Sequence, residues 1–289
     1  MKRSRGSPFI SIMTVNRNHA EGLRRTLASV GEQTFRDFEQ IVIDGGSTDE
    51  SLSVVSTFRE KINHYLSEPD RGVYHAMNKG IAIASGAYVI FLNSGDVFAS
   101  GEILATASEV MKRDPERDLF YGSTLRKSSD DGVVVREVPE PLRVFDLYKF
   151  RLCHQSVFYK RVLFDELGGY DESFHIYADI EFNIRCLQAG RQARRLGFAV
   201  SLYEGGGMSS RESAELGSER ERLWSKCLGS SVSRDYEHFA WLDAEYRRLK
   251  GAEDWIETAK LNPLWKNIAL VCQWRWKRVC KTRRWGRVR

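Results

Sequence analysis

Four short apolar runs open the chain: FISIMTV (Phe9–Val15), FEQIVID (Phe38–Asp44), INHYLSE (Ile62–Glu68) and AYVIFLN (Ala87–Asn93). Stretches of helical spacing separate them. His19–Glu32 places Leu23, Leu27 and Val30 on one face, and Val73–Ala84 is a second amphipathic segment. Between these, GGSTDE follows the second run, with Ser47 or Thr48 available to cap a helix and Asp49 and Glu50 suited to its first turn. A strand–helix–strand alternation of this kind admits few folds. It predicts a mainly parallel sheet with helices on both faces.

The rhythm changes after a helix ending over Met111–Arg117 and a strand starting at DLFYGS (Asp118–Ser123). LRKSSDDGVVVREV predicts a hairpin around a DDG turn. HQSVFYK (His154–Lys160) predicts a strand, and Ala178–Ala189 a helix ended by Gly190. ARRLGFAVSLYE predicts a last strand running into the glycine-rich GGGMSS, a candidate lid and equally an ordinary glycine linker. Two polar helices, about residues 211–228 and 233–250, follow. The expected organisation is an α/β domain over residues 1–210 and a helical extension over 211–289.

Charge divides the chain in the same way. Residues 258–289 hold ten Lys/Arg and no Asp/Glu; removed from the totals of 44 and 39, they leave 34 basic and 39 acidic side chains in residues 1–257. All seven tryptophans lie between Trp224 and Trp285. The five cysteines form no CxxC pair, which argues against a disulfide framework or structural zinc and suits a reducing compartment. No run reaches the roughly 18 apolar residues that span a bilayer.

Candidate chemistry sits at strand ends. In a doubly wound sheet the carboxyl ends of the strands line the ligand crevice. The first run supplies Thr14 and Asn16, the second Asp44, and the fourth leads to Asp96. Asp44 suits hydrogen bonding to a base or ribose, and equally a turn before Gly45-Gly46. Asp96 suits a divalent ion carried by phosphate, and equally a turn or helix cap.

FISIMTVNRN, IVIDGGSTDES, SEPDRGVYHAMNKGIAIASGAYVIFLNSGD, CHQSVFYKR and YADIEFNIRCLQAG, taken in order, resemble the inverting family-2 glycosyltransferases of GT-A fold, most closely bacterial members that build surface polysaccharides. The resemblance covers about residues 8–210. It implies sugar transfer from a nucleotide diphosphate donor, with a UDP-sugar the first expectation, to a hydroxyl of a lipid-linked saccharide. It implies Thr14, Asn16 and Asp44 beside the nucleotide, Asp70, Arg71 and Asn78 near the donor, and Asp96 as the carboxylate of the metal motif for Mg2+ or Mn2+. Asp179 matches the catalytic base, with Glu181 its neighbour on another helix face, and His154 and Gln155 fall near the diphosphate or the acceptor. The family's metal motif is an Asp-any-Asp triplet; here Asn93-Ser94-Gly95-Asp96 holds a single carboxylate, and Asn93 offers a neutral oxygen.

In the tail, Leu264, Trp265, Ile268, Val271, Cys272, Trp276, Val279 and Cys280 share one side of a helical wheel that is basic on the other, with Leu270, Trp274 and Arg275 breaking the pattern. This pattern predicts an interfacial helix on an anionic membrane, hence a cytoplasmic protein peripheral to the inner face of the plasma membrane, or else a helix packed on the domain. Two rival classes remain. A sugar nucleotidyltransferase needs a Gly-rich basic loop where NRNHAEG stands. A nucleic-acid-binding protein acting through the tail leaves the strand-end carboxylates unexplained, so no nucleic-acid partner is expected.

Overall fold

The computed structural model describes residues 6–127, 132–150, 152–204 and 214–229, with isolated positions between 232 and 248. The chain divides into a compact unit ending at Gly229 and a second unit from Ser230. The expected basic tail at 258–289, the GGGMSS lid and most of the second polar helix lie outside the described residues.

The first unit alternates as the apolar pattern predicts: β1 (Ile10–Asn16), α1 (Ala20–Gly31), β2 (Phe38–Asp44), α2 (Ser51–Thr57), β3 (His64–Ser67), α3 (Val73–Ile83) and β4 (Tyr88–Phe91). These four strands lie in the order β3-β2-β1-β4 and are all parallel. Then come β5 (Asp96–Phe98), α4 (Ile103–Arg113), β6 (Leu119–Lys127), β7 (Val133–Arg136), α5 (Val144–Lys149), β8 (Val157–Lys160), α6 (Val162–Leu167), α7 (Ala178–Gln188), β9 (Ala193–Glu204) and α8 (Ala214–Leu228). The sheet continues from β4 through β8, β6 and β9 to β5, and β7 pairs with β6. This half is mixed: β6 and β9 are parallel, whereas β4–β8, β8–β6, β9–β5 and β6–β7 are antiparallel.

Successive strand residues serve opposite faces. On one face Met13, Ile41, Ile43, Phe91 and Tyr159 pack with α3, α6 and α7. On the other, Ile10, Ile12, Ile90, Phe120 and Val200 pack with α4, while Val42 joins Leu23 and Leu27 of α1. The first core is rich in rings. Phe164 stacks on Phe182 at 4.4 Å, and Tyr159 and Tyr170 meet both edge-on. Burial of each such ring stabilises the fold by about 1.5–3 kcal/mol, and together they fix α6 and α7 against the mixed half of the sheet.

Local details depart from the sequence expectations for identifiable reasons. Neither Ser47 nor Thr48 caps α2. The helix starts at Ser51, whose amide bonds to the Asp49 carboxylate, while Ser47 turns back to Asp44. His154–Ser156 is a 3-10 turn rather than the start of a strand, closed by the Ser156 amide on the Cys153 carbonyl at 3.0 Å. The helix over Ala178–Gln188 does end at a glycine, Gly190, with φ +74°.

Candidate active site

Because β1, β2 and β3 are parallel and in register, Asn16, Asp44 and Ser67 end side by side. Asn16 is buried and bonds in four directions. Its Nδ2 donates to Asp44 Oδ1 at 2.8 Å, Ser51 Oγ at 2.9 Å and Ser47 Oγ at 3.1 Å, and its Oδ1 accepts from Ser94 Oγ at 2.8 Å. Asp44 also accepts from the Ser47 amide and hydroxyl and from Ser67 Oγ. Burial pushes the Asp44 carboxyl upward, but these donors, Ser47 foremost, outweigh it and hold the group below its ordinary value. The adjacent Gly45 has no room for a Cβ, which would overlap Asp70 Oδ2. The Asp70 side chain, almost fully buried, thus lies directly against this turn, 3.7 Å from Arg17.

Leaving β4, the chain runs through Asn93 and Ser94 to Asp96 at the start of β5. Although Asp96 retains some exposure, the protein around its carboxyl pushes the pKa up to about 6, against the opposing pull of His154 and of a backbone bond at Asn93. Beside it, Asn93 Nδ2 lies 3.1 Å from His154 Nε2. His154 Nδ1 in turn lies 3.1 Å from Asp179 Oδ2. A carboxylate only accepts, so Nδ1 carries the proton and donates to Asp179. Burial alone would lower the His154 pKa. The hydrogen bond to Asp179 and the charges of Asp179 and Asp96 outweigh it and raise the pKa.

Asp179 stands in the first turn of α7. Its Oδ1 accepts from the Ile180 amide at 2.9 Å and from the Tyr74 hydroxyl at 3.2 Å. Burial, then the Asp179 charge, keeps Tyr74 protonated far into the alkaline range. Glu181 faces elsewhere: its two oxygens bind Arg185 at 2.8 Å and Lys226 at 2.9 Å. Asp179 is therefore the carboxylate of this helix that meets the site.

These contacts form one chain: Asp44–Asn16–Ser94, the Asn93–Ser94 peptide link, then Asn93–His154–Asp179–Tyr74. Of the residues singled out in the sequence, Asn16, Asp44, His154 and Asp179 lie on it; Asp96, whose amide bonds to the Asn93 carbonyl, stands beside it, and Asp70 borders it. Others stand apart. Thr14 is wholly buried in β1, its hydroxyl without a partner among the described residues. Asn78 clamps the loop before α7: it donates to the Tyr170 carbonyl and Glu172, and accepts from the Tyr170 amide. Arg71, largely exposed, pairs with the same Glu172 at 2.6 Å. Gln155 is buried in the middle of the His154 turn.

Two residues that sequence reasoning passed over support Asp179. Tyr74 is one; its place on the inner face of an amphipathic helix marked it only as core. Glu219 of α8 is the other. It is buried and accepts from three consecutive amides, those of His175, Ile176 and Tyr177, at 2.8–3.0 Å. It thus holds the segment leading into α7, and nothing in its local sequence signals that partner.

The donor set near Asp96 suits a hard cation that arrives with phosphate. It offers one carboxylate, and Asn93 Oδ1 is buried without a partner among the described residues. No group of three or more His, Cys, Asp or Glu side chains forms a metal cage among those residues. Mg2+ typically uses one or two carboxylates plus phosphate and water, so the two oxygens fit an ion of this kind.

The fold and the sequence are shared with known proteins. The model of glycosyl transferase family 2 matches residues 10–162, and the chain belongs to that family and is a glycosyltransferase. It is 33% identical over 216 residues to a PGL/p-HBAD biosynthesis glycosyltransferase of Mycobacterium bovis, covering 71% of this chain and 80% of the relative. It is 37% identical over 180 residues to an uncharacterized glycosyltransferase of Mycobacterium tuberculosis, covering 62% and 69%. Among solved structures, TarS 1-349 of S. aureus in complex with UDP-GlcNAc superposes with TM-score 0.63 at 19% identity, over 78% of this chain and 70% of that one. The mannosyltransferase PcManGT of Pyrobaculum calidifontis, in complex with GDP-Man and Mn2+, gives TM-score 0.56 at 16% identity over 92% and 84%. These likenesses establish the GT-A type of fold.

Proposed function

We propose that this glycosyltransferase moves a sugar from a nucleotide diphosphate donor to an acceptor hydroxyl with inversion, and that Asp179 is the general base. The observation that carries the reading is the hydrogen-bonded chain from Asp44 to Asp179, which joins a nucleotide-type carboxylate to a candidate base across the strand ends. Asp44, pre-ordered by Asn16, Ser47 and Ser67, accepts hydrogen bonds from the base or ribose, with Asp70 beside it. A Mg2+ or Mn2+ ion held by Asp96 and Asn93 Oδ1 supplies positive charge against the leaving diphosphate. The nucleotide-sugar and Mn2+ complexes of the two structural neighbours support this donor and ion.

Asp179 takes the proton of the acceptor hydroxyl as its oxygen attacks, a role generally worth about 10²- to 10⁴-fold. His154 and Tyr74 fix the carboxylate and leave it a free lone pair on Oδ2. One base suffices for inversion, in keeping with the commitment of Glu181 to Arg185 and Lys226. A UDP-sugar donor and a lipid-linked saccharide acceptor are the substrates we favour. The basic, Trp-rich segment 258–289 would then hold the enzyme on an anionic membrane surface.

A panel of UDP-, GDP- and TDP-sugars, each with Mg2+ or Mn2+, tests the donor by thermal shift. A specific donor raises the melting temperature by mass action. No shift with any member at millimolar concentration would refute the reading. Liposome flotation of the full chain against a truncation after Lys250 tests the tail, and equal flotation would dismiss it as an anchor.

A further inference from the structure

The strand carrying Asp96 belongs to a row that extends away from the nucleotide side. Residues paired across neighbouring strands share a face of the sheet. Asp96 of β5 pairs with Tyr203 of β9, Tyr203 with Arg126 of β6, and Arg126 with Val134 of β7. The next row on the same face is Phe98, Ser201, Thr124 and Arg136. Two arginines therefore stand on the Asp96 face, two and three strands from the carboxylate, at about 4.8 Å per strand. The Arg136 guanidinium carbon lies 5.9 Å from the centre of the Tyr203 ring.

The row is tied to the active-site turn. Thr124 Oγ1 donates to Ser156 Oγ at 2.7 Å, and Ser156 Oγ lies 2.7 Å from Ser201 Oγ. Ser156 closes the turn that carries His154.

Neither guanidinium forms an ion pair or hydrogen bond with a carboxylate among the described residues, whereas the partly buried Arg161, Arg185, Arg191 and Arg195 all do. Arg126 Nε is buried and lacks any hydrogen-bond partner among those residues. A buried donor left unmade is costly, and two cations on adjacent strands of one face repel each other where no anion stands between them. An oxyanion at this face would relieve both costs, because guanidinium groups match phosphate or carboxylate oxygens two at a time.

Building on the donor-transfer reading above, we infer that Arg126 and Arg136, beside the Tyr203 ring, form a second oxyanion subsite that recognises a phosphate-class group of the substrates on the mixed half of the sheet. The group comes either from the donor diphosphate or from an anion on the acceptor. The chemistry is the same in both cases.

Calorimetry on the full-length protein separates these sources and tests the inference. Two probes are titrated: inorganic pyrophosphate without metal, and UDP with Mn2+. The variants are R126Q, R136Q and the double variant. Loss of pyrophosphate affinity by tenfold or more in the double variant is the expected result. A parallel loss of UDP·Mn2+ affinity assigns the oxyanion to the donor; UDP·Mn2+ binding within twofold of wild type assigns it to the acceptor. Because Arg136 lies on the peripheral β7, R136Q keeps the test open if the double variant does not fold, and a threefold loss of pyrophosphate affinity is expected from it alone. Wild-type protein that takes up no pyrophosphate, or variants that bind both probes within twofold of wild type, would overturn the inference. Arg-dependent pyrophosphate binding in a protein that binds no nucleotide sugar would keep the subsite and remove the donor assignment instead.

Discussion

In the parallel half of the sheet, β3-β2-β1-β4, the site's polar groups stand at consecutive strand ends, and Asn16 by itself ties Asp44, Ser47, Ser51 and Ser94 together. In the mixed half, β8-β6-β9-β5, the corresponding groups come from a 3-10 turn, a helix start and a β9 register, and they are held at a distance. Glu219 grips three amides ahead of Asp179 from α8. The first half is rigid through local bonding and built to hold a ligand. The second is positioned by tertiary packing and carries the base. Donor affinity and chemistry should therefore respond to different substitutions.

The largest separation is expected at Asp96, at the end of the turn that leads from β4 of the parallel half into β5 of the mixed half. Asp96→Asn should leave the fold intact and abolish metal-stimulated transfer, by at least about 10²-fold, since the charge that holds the cation against the leaving group is gone. Transfer rates measured with and without Mn2+ check this, and a variant still stimulated by Mn2+ to wild-type rates breaks the assignment. Next is Asp44→Asn. It replaces an acceptor of four hydrogen bonds with a group that turns donors toward donors, and each unsatisfied group costs about 1–3 kcal/mol. Donor affinity should fall about tenfold or more, while bound donor still reacts at a near-normal single-turnover rate.

Glu219→Ala probes the other half. Three amides lose their partner, so the melting temperature should drop and kcat fall with donor affinity within about twofold. A rise in donor KM with kcat unchanged would erase the contrast drawn here. The smallest effect is in acid. The folded-state pKa of Asp44 lies below its ordinary 3.8, so its contribution to stability is complete above that value and is lost as pH falls through the lower native value. Acid unfolding of wild type should show this loss below pH 3.8 relative to Asp44→Asn. Parallel curves for the two proteins would remove it.

The same contrast explains what the sequence made legible. Each parallel strand is a short apolar run, and its end is marked by the residue where the run stops. Asn16, Asp44 and the Asn93–Asp96 turn could be placed on one edge from that rule. Asp179 and His154 emerged through resemblance of their segments, not through any local period. The 3-10 turn at His154 reads as strand because the polar His154-Gln155-Ser156 runs directly into the apolar Val157-Phe158-Tyr159 of β8, with no Gly or Pro to mark a boundary. Asn78 sits at a position near the donor by resemblance, yet its amide is consumed by the Tyr170–Glu172 loop, a contact set by how α3 packs against residues far along the chain. Glu219 and the Arg126–Arg136 pair depend on helix docking and cross-strand register, which hydrophobic patterning does not encode.

The most direct test measures binding and chemistry on the same variant. For Asp179→Asn, donor affinity by calorimetry and single-turnover transfer to acceptor should be determined beside wild type. A donor dissociation constant within about twofold of wild type with transfer slowed about 10²- to 10⁴-fold is the predicted result. Transfer within a few-fold of wild type would contradict it.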